Sequence, residues 1–195
     1  MKASHFQSAR FFVMACFCAM TAMNAHAITY GDSTPTFGGA EPADAAPAPA
    51  HSSAPETQVS FSPPAGWTVA ASTKSRFKVA TGPPSRGFVP NISISEAEYA
   101  GSAEQFVAEN VKNMQGQDAI FHILNQSSFK TRAGLKGVKL IFEINKEKHT
   151  FRSTQYIFAP GPGVPLLLVN CSTAAEDGGL YNSLFDQTIS TLSVK

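Results

Sequence analysis

This chain is poor in the side chains from which reaction centres are built. Its 195 residues hold three cysteines, five histidines and one tryptophan. Cys16 and Cys18 fall within the first 27 residues, so removal of that stretch leaves Cys171 with no partner for an internal disulfide. Beyond residue 58 the histidines are His122 and His149. No His-x-His, Cys-x-x-Cys or His-Glu-x-x-His spacing is present, which argues against a dedicated metal site. No Gly-x-Ser-x-Gly elbow surrounds a serine. The glycine-bearing loops at 82–87 and 161–163 lack the lysine and spacing of a phosphate cradle, and their prolines remove N–H donors such a cradle needs. Charge is sparse and scattered, with a net charge of +1 and no basic stripe, so nucleic-acid binding is not indicated. No apolar run reaches the roughly 20 residues of a membrane span.

What is present begins with an address. Lys2 and Arg10 precede the apolar run Phe11–Met23, and Ala25-His26-Ala27 fits a small-x-small cleavage site. Residues 1–27 therefore read as a secretory signal peptide, with Ile28 as the first mature residue. The rival readings are an uncleaved anchor and lipidation at Cys16, before which the apolar stretch is only five residues. Export without disulfides suits a bacterial periplasm or the cell exterior. Residues 28–58 are rich in Ala, Pro, Ser, Gly and Thr, with Asp32, Glu41, Asp44 and Glu56 but no Lys or Arg. Such a stretch buries too little apolar surface to offset its backbone entropy and reads as a disordered linker.

Residues 59–195 are long enough to bury a full core without staples. Short strands are expected at Val59–Phe61, Trp67–Val69 and Phe77–Val79. The alternating Asn91–Ser95 reads as a half-buried strand. Ser102 and Gln105 form a capping box for a helix with Ala103, Phe106, Val107, Val111 and Met114 on one face, stopped near Gly116. Four strand-like runs follow: 119–130, 137–146, 150–158 and 166–173. In the second, Val138, Leu140, Phe142 and Ile144 point one way and Lys139, Glu143 and Asn145 the other, toward solvent. Leu166–Val169 is apolar throughout, as in a central, covered strand. Glu176 and Asp177 are expected to open the last helix, with Leu180, Tyr181, Leu184, Phe185, Ile189 and Leu192 as its apolar face. The order implies an α+β fold: a mainly antiparallel sheet with helices packed on it, an α/β/α-type sandwich.

Single residues carry bland readings. His122 is expected to be a satisfied structural histidine and His149 a solvated turn residue. Cys171 shares strand parity with Leu167 and Val169 and should be buried and inert. Glu96 and Glu98 read as a solvated strand edge. The sequons at Asn91, Asn125 and Asn170 read as chance. Trp67, after the Pro-Gly turn, should anchor the core, with truncation costing roughly 3–5 kcal/mol.

Phe61-Ser-Pro-Pro-Ala-Gly-Trp67, the strand Asn91–Ser95, the helix start Ser102–Phe106 and the closing helix Tyr181–Leu192 together resemble the PsbP-like superfamily, with its DcrB-like and LpqN-like envelope members. The resemblance spans nearly all of residues 59–195. It implies a non-enzymatic binding or assembly module with diverse partners; with the export signal and the residues above, the expectation is an exported envelope module with no catalytic, metal or cofactor site and an envelope or secreted protein as partner. The alternative is a carrier of a small apolar ligand or lipid; an enzyme of unassigned type ranks below both. The expected partner surface is the pair of Pro/Gly-rich loops 82–88 and 160–165, with Arg86, Phe88, Pro162 and Pro165 as contact residues and the Lys139–Glu143–Asn145 face as the fallback.

Overall fold

Alternating and fully apolar runs here become strands, and the one amphipathic stretch with a capping box becomes a helix. The computed structural model describes residues 58–195 except 73–74, 118–119 and 147–148. The signal peptide, the Ile28 start and the linker up to residue 57 lie outside the described residues; Gln58, its last residue, exchanges backbone hydrogen bonds with Lys195. The elements are β1 (Val59–Ser60), β2 (Thr68–Ala71), β3 (Lys78–Thr81), β4 (Asn91–Ala97), α1 (Ala103–Gln115), β5 (Phe121–Lys130), β6 (Lys136–Lys146), β7 (His149–Phe158), β8 (Leu166–Ala174), α2 (Gly178–Ser190) and β9 (Ser193–Val194). Seven strands form one antiparallel sheet in the order β2-β3-β4-β8-β7-β6-β5, and β1 pairs with β9 in a separate ribbon. This is the expected α+β architecture.

β8 occupies the middle of the sheet, as the apolar run Leu166–Val169 implied; all four residues are buried. Register divides the sheet into two faces, because directly paired residues share a side. One face carries Ile92, Ile94, Leu167, Val169, Cys171, Tyr156 and Phe158, which pack with Phe185, Ile189 and Leu192 of α2 and its exit. The other carries Val138, Leu140, Phe142 and Ile144, where α1 packs on β5, β6 and β7. The helices therefore cover opposite faces.

The capping box is present: Gln105 N–H donates to Ser102 Oγ at 3.2 Å, and Ser102 N–H donates to Gln105 Oε1 at 2.9 Å. α2 starts where the acidic pair Glu176-Asp177 implied. Asp177 is its N-cap residue, at the end of a 3₁₀ turn over Ala175–Asp177, and the α-helix runs from Gly178; the Asp177 side chain makes no capping bond and is held by Ser85 and Arg86. Leu180, expected on the apolar face, is exposed. Trp67 precedes β2 rather than lying in it.

The polar side of β6 is not solvated as expected. Lys139 lies under α2, 10% exposed, and donates to both Asp186 carboxylate oxygens at 2.6 and 2.7 Å. Glu143 is half-buried and accepts from Arg152 of β7. Asn145 alone of the three is exposed. Because α2 covers this face, strand alternation here separates two interiors rather than an interior from solvent.

Candidate functional site

α1 covers one half of its sheet face and leaves the other half as a shelf. On that face β4 presents Asn91, Ser93 and Ser95, β8 presents Asn170 and Ser172, and β3 presents Val79 and Thr81. Ser172 is buried, Val79, Thr81, Asn91, Ser93, Ser95 and Asn170 are half-buried, and Thr68 and Ala70 of β2 are exposed. The surface is built of hydroxyls, amides and small apolar groups without a charge. Asn170 Oδ1 is buried there with no hydrogen-bond partner among the described residues.

The two loops singled out from sequence sit at opposite ends of this shelf. Residues 82–90 lead into Asn91, opposite Ser172, while 159–165 join Phe158 to Leu166, opposite Ala97. Seven residues of β4 separate them, about 20 Å. They do not meet in one patch.

At the first end Ser85–Phe88 closes a two-residue hairpin, each end residue's N–H donating to the other's carbonyl at 2.8 Å. Arg86 and Gly87 both have positive φ, 50° and 74°. This is the primed geometry that normally selects Asn-Gly, so an arginine at the first position is strained. Its guanidinium is tied to Asp177 at 2.8 Å yet stays 62% exposed, while Asp177 is 6% exposed. Phe88 packs on Phe151, ring centroids 5.2 Å apart, and so walls the shelf at this end. Hydrogen bonds from Ser85 and Arg86 hold the Asp177 carboxyl below its usual range. A lowered folded pKa means the contribution is complete above the ordinary carboxylate pKa and is lost as pH falls through the lowered one. Asp177→Asn should therefore flatten the acid side of the melting-temperature profile; an unchanged profile would rule this linkage out.

At the other end Tyr99 packs edge-on against Phe106 of α1, centroids 5.1 Å apart. Burial, and then a hydrogen bond with Glu109, push the Tyr99 phenol up. Glu98–Gly101 and Gly161–Val164 line a cleft of about 670 Å³ that includes Pro162. Pro165 adjoins it, half-buried before β8. A second cleft, about 720 Å³, lies between the β1–β9 ribbon and the β2–β3 end of the sheet. Phe61, Val69, Phe77 and Ile94 give it an apolar wall, with Arg76 and Lys78 among its lining. Sequence reasoning missed this cleft because its walls come from strands far apart in the chain.

The residues screened for chemistry are not gathered. His122 is exposed on the edge strand β5, not a packed structural histidine, and pairs in register with Glu143; His149 opens β7 opposite Lys146. Glu96 is bound by Arg76. Cys171 is fully buried on the α2 face, and burial pushes its thiol well up. Thiol reagents should label it slowly in the native protein and rapidly after unfolding; fast native labelling would contradict this burial. Among the described residues no group of three or more His, Cys, Asp or Glu could hold a metal ion, and no helix is long and apolar enough to cross a membrane.

No family model and no curated protein matches the sequence. Solved structures do. LpqN of Mycobacterium tuberculosis, described as involved in cell envelope biogenesis, aligns over 74% of this chain and 87% of its own, at TM-score 0.58 and 11% identity. CyanoP, the cyanobacterial PsbP of Synechocystis sp. PCC 6803, aligns over 71% and 92% at 0.48 and 16%. PA94 of Pseudomonas aeruginosa, a protein of unknown function, aligns over 71% and 82% at 0.44 and 16%. The likeness to LpqN is one of fold, and it is the fold that the pattern of residues 59–195 implied.

Proposed function

We propose that the domain is a non-enzymatic binding or assembly module, exported to the periplasm or cell exterior, that engages another envelope or secreted protein across the shelf. The observation that carries this reading is the Ser85–Phe88 hairpin. It holds Arg86 in a backbone conformation that arginine disfavours, and anchors its guanidinium through Asp177 while leaving it accessible. Strain retained at a rigid, exposed tip points to a role for the side chain. Arg86 and Phe88 supply the guanidinium and aromatic groups that dominate interface energetics, and Pro162 and Pro165 stiffen the far end. The scatter of His122, His149 and Cys171 supports binding over catalysis, and the envelope role described for LpqN supports the setting.

The test is a pull-down of the mature protein from its native envelope, followed by calorimetric titration of the captured partner. Arg86→Asn suits the left-handed backbone while removing the guanidinium, so it should weaken binding about tenfold or more. Phe88→Ala should weaken it too. Wild-type affinity in both variants, at matched melting temperatures, would remove the hairpin from the interface. Export predicts an intact mass that starts at Ile28.

A second reading, a carrier of a small apolar ligand, draws on the 720 Å³ cleft and its wall of Phe61, Val69, Phe77 and Ile94. Apolar lining with a few polar groups is the usual make-up of a small-molecule site. Enhanced fluorescence of an apolar dye on the native protein, abolished by Val69→Asp, would favour it over the shelf.

A further inference from the structure

We infer that β5 is the contact by which two copies of this chain join their sheets edge to edge. β5 is ten residues long and forms one border of the seven-stranded sheet, with β6 as its strand neighbour among the described residues. In an antiparallel pair every second residue turns its N–H and C=O away from its partner. The outer rim of β5 therefore offers a row of backbone donors and acceptors. Natural edges are usually guarded by proline, by charge, by shortness or by a bulge. The opposite border, β2, has only four residues. β5 has neither proline nor charge along Ile123–Phe129, seven consecutive neutral residues. Its one irregularity, a bulge between Ile123 and Asn125, leaves Leu124 40% exposed.

The sequence of β5 selects a second copy as occupant. A two-fold axis perpendicular to the sheet through Ser127 keeps each face continuous and pairs residues of equal parity. It sets Ser127 against Ser127, Gln126 against Ser128, Asn125 against Phe129 and Leu124 against Lys130. No like charges meet, and the Lys130 stem covers the exposed Leu124. α2 packs mainly on β7 and β8, and on that side of the sheet Asn125 and Ser127 of β5 are exposed. The closed two-fold pairing also satisfies both rims at once, leaving no further β5 edge to propagate from.

Sedimentation of the full mature chain from micromolar to millimolar concentration tests this. The wild type should pass from monomer to dimer. Gln126→Lys with Ser128→Lys sets lysine against lysine twice across the axis and should sediment as a monomer with an unchanged melting temperature. Mixing it with the Gln126→Glu, Ser128→Glu variant should restore a mixed dimer. A wild type that stays monomeric throughout, leaving the edge to a strand of another protein, overturns the inference. So does a lysine variant that dimerises as the wild type does.

Discussion

Asp186→Ala should lower stability by about 3–5 kcal/mol, the usual effect of stranding a buried charge. The asymmetry within the pair makes this specific. Lys139 is 10% exposed and Asp186 41%. Removing Asp186 leaves the Lys139 ammonium under α2 without its counter-charge, and deprives the Tyr156 hydroxyl of the carboxylate oxygen it donates to at 2.7 Å. Burial, the main reason the Tyr156 phenol is pushed up, persists in the variant, so the hydroxyl stays neutral and loses its acceptor. Lys139→Met leaves Asp186 in contact with water and keeps the stem's apolar packing, so its cost should be about 1 kcal/mol or less. Denaturant unfolding of the two variants decides the matter. A wild-type midpoint for Asp186→Ala, or a larger loss for Lys139→Met, would mean that the pair is solvated in solution.

That cluster also marks where the sequence misleads. The period of two in Val138, Leu140, Phe142 and Ile144 correctly assigns one face of β6. It says which residues share a side, not what lies over them. Chemical type alone puts Lys139 and Glu143 toward solvent, yet Ile141 lies between them on the same side and is buried. One apolar residue in a nominally polar row was the available signal that this face is covered. The partners that make burial of Lys139 tolerable come from distant segments: Asp186 is 47 residues away.

The same limit governs the candidate site. Local chemistry made the helix of Ser102–Gln105, the central strand of Leu166–Val169 and the buried Cys171 legible, because capping, hydrophobicity and parity act over a few residues. It identified the two loops as separate features but not their placement, since only the pairing of β4 with β8 puts one at each end of the shelf. The side chain of Asp177 is a related case. Asp177 has the composition of a helix start, but Ser85 and Arg86, about 90 residues earlier, take its carboxylate. The unusual backbone of Arg86 had no sequence signature beyond the Gly that follows it.

Trp67→Ala should cost about 2–3 kcal/mol, below the roughly 3–5 of a fully enclosed aromatic, because the indole is half-buried. Its ring meets Tyr181 and Phe185 edge-on, each with centroids 6.3 Å apart, so it fastens the chain before β2 onto α2. The indole also lies directly over Gly82: a Cβ there would sit 2.7 and 2.8 Å from two ring carbons. Gly82 cannot shift freely, because its N–H donates to Pro90 O at 2.8 Å at the base of the hairpin loop. Gly82→Ala should therefore push the ring out of its seat and cost about 1–2 kcal/mol by overpacking. In the Trp67→Ala background that steric conflict is absent, so the alanine should cost little. The double-mutant cycle should give a coupling of about 1 kcal/mol or more, as expected of residues in direct contact. Strictly additive effects would show that the indole does not rest on Gly82, and would separate the core anchor from the loop that carries Arg86.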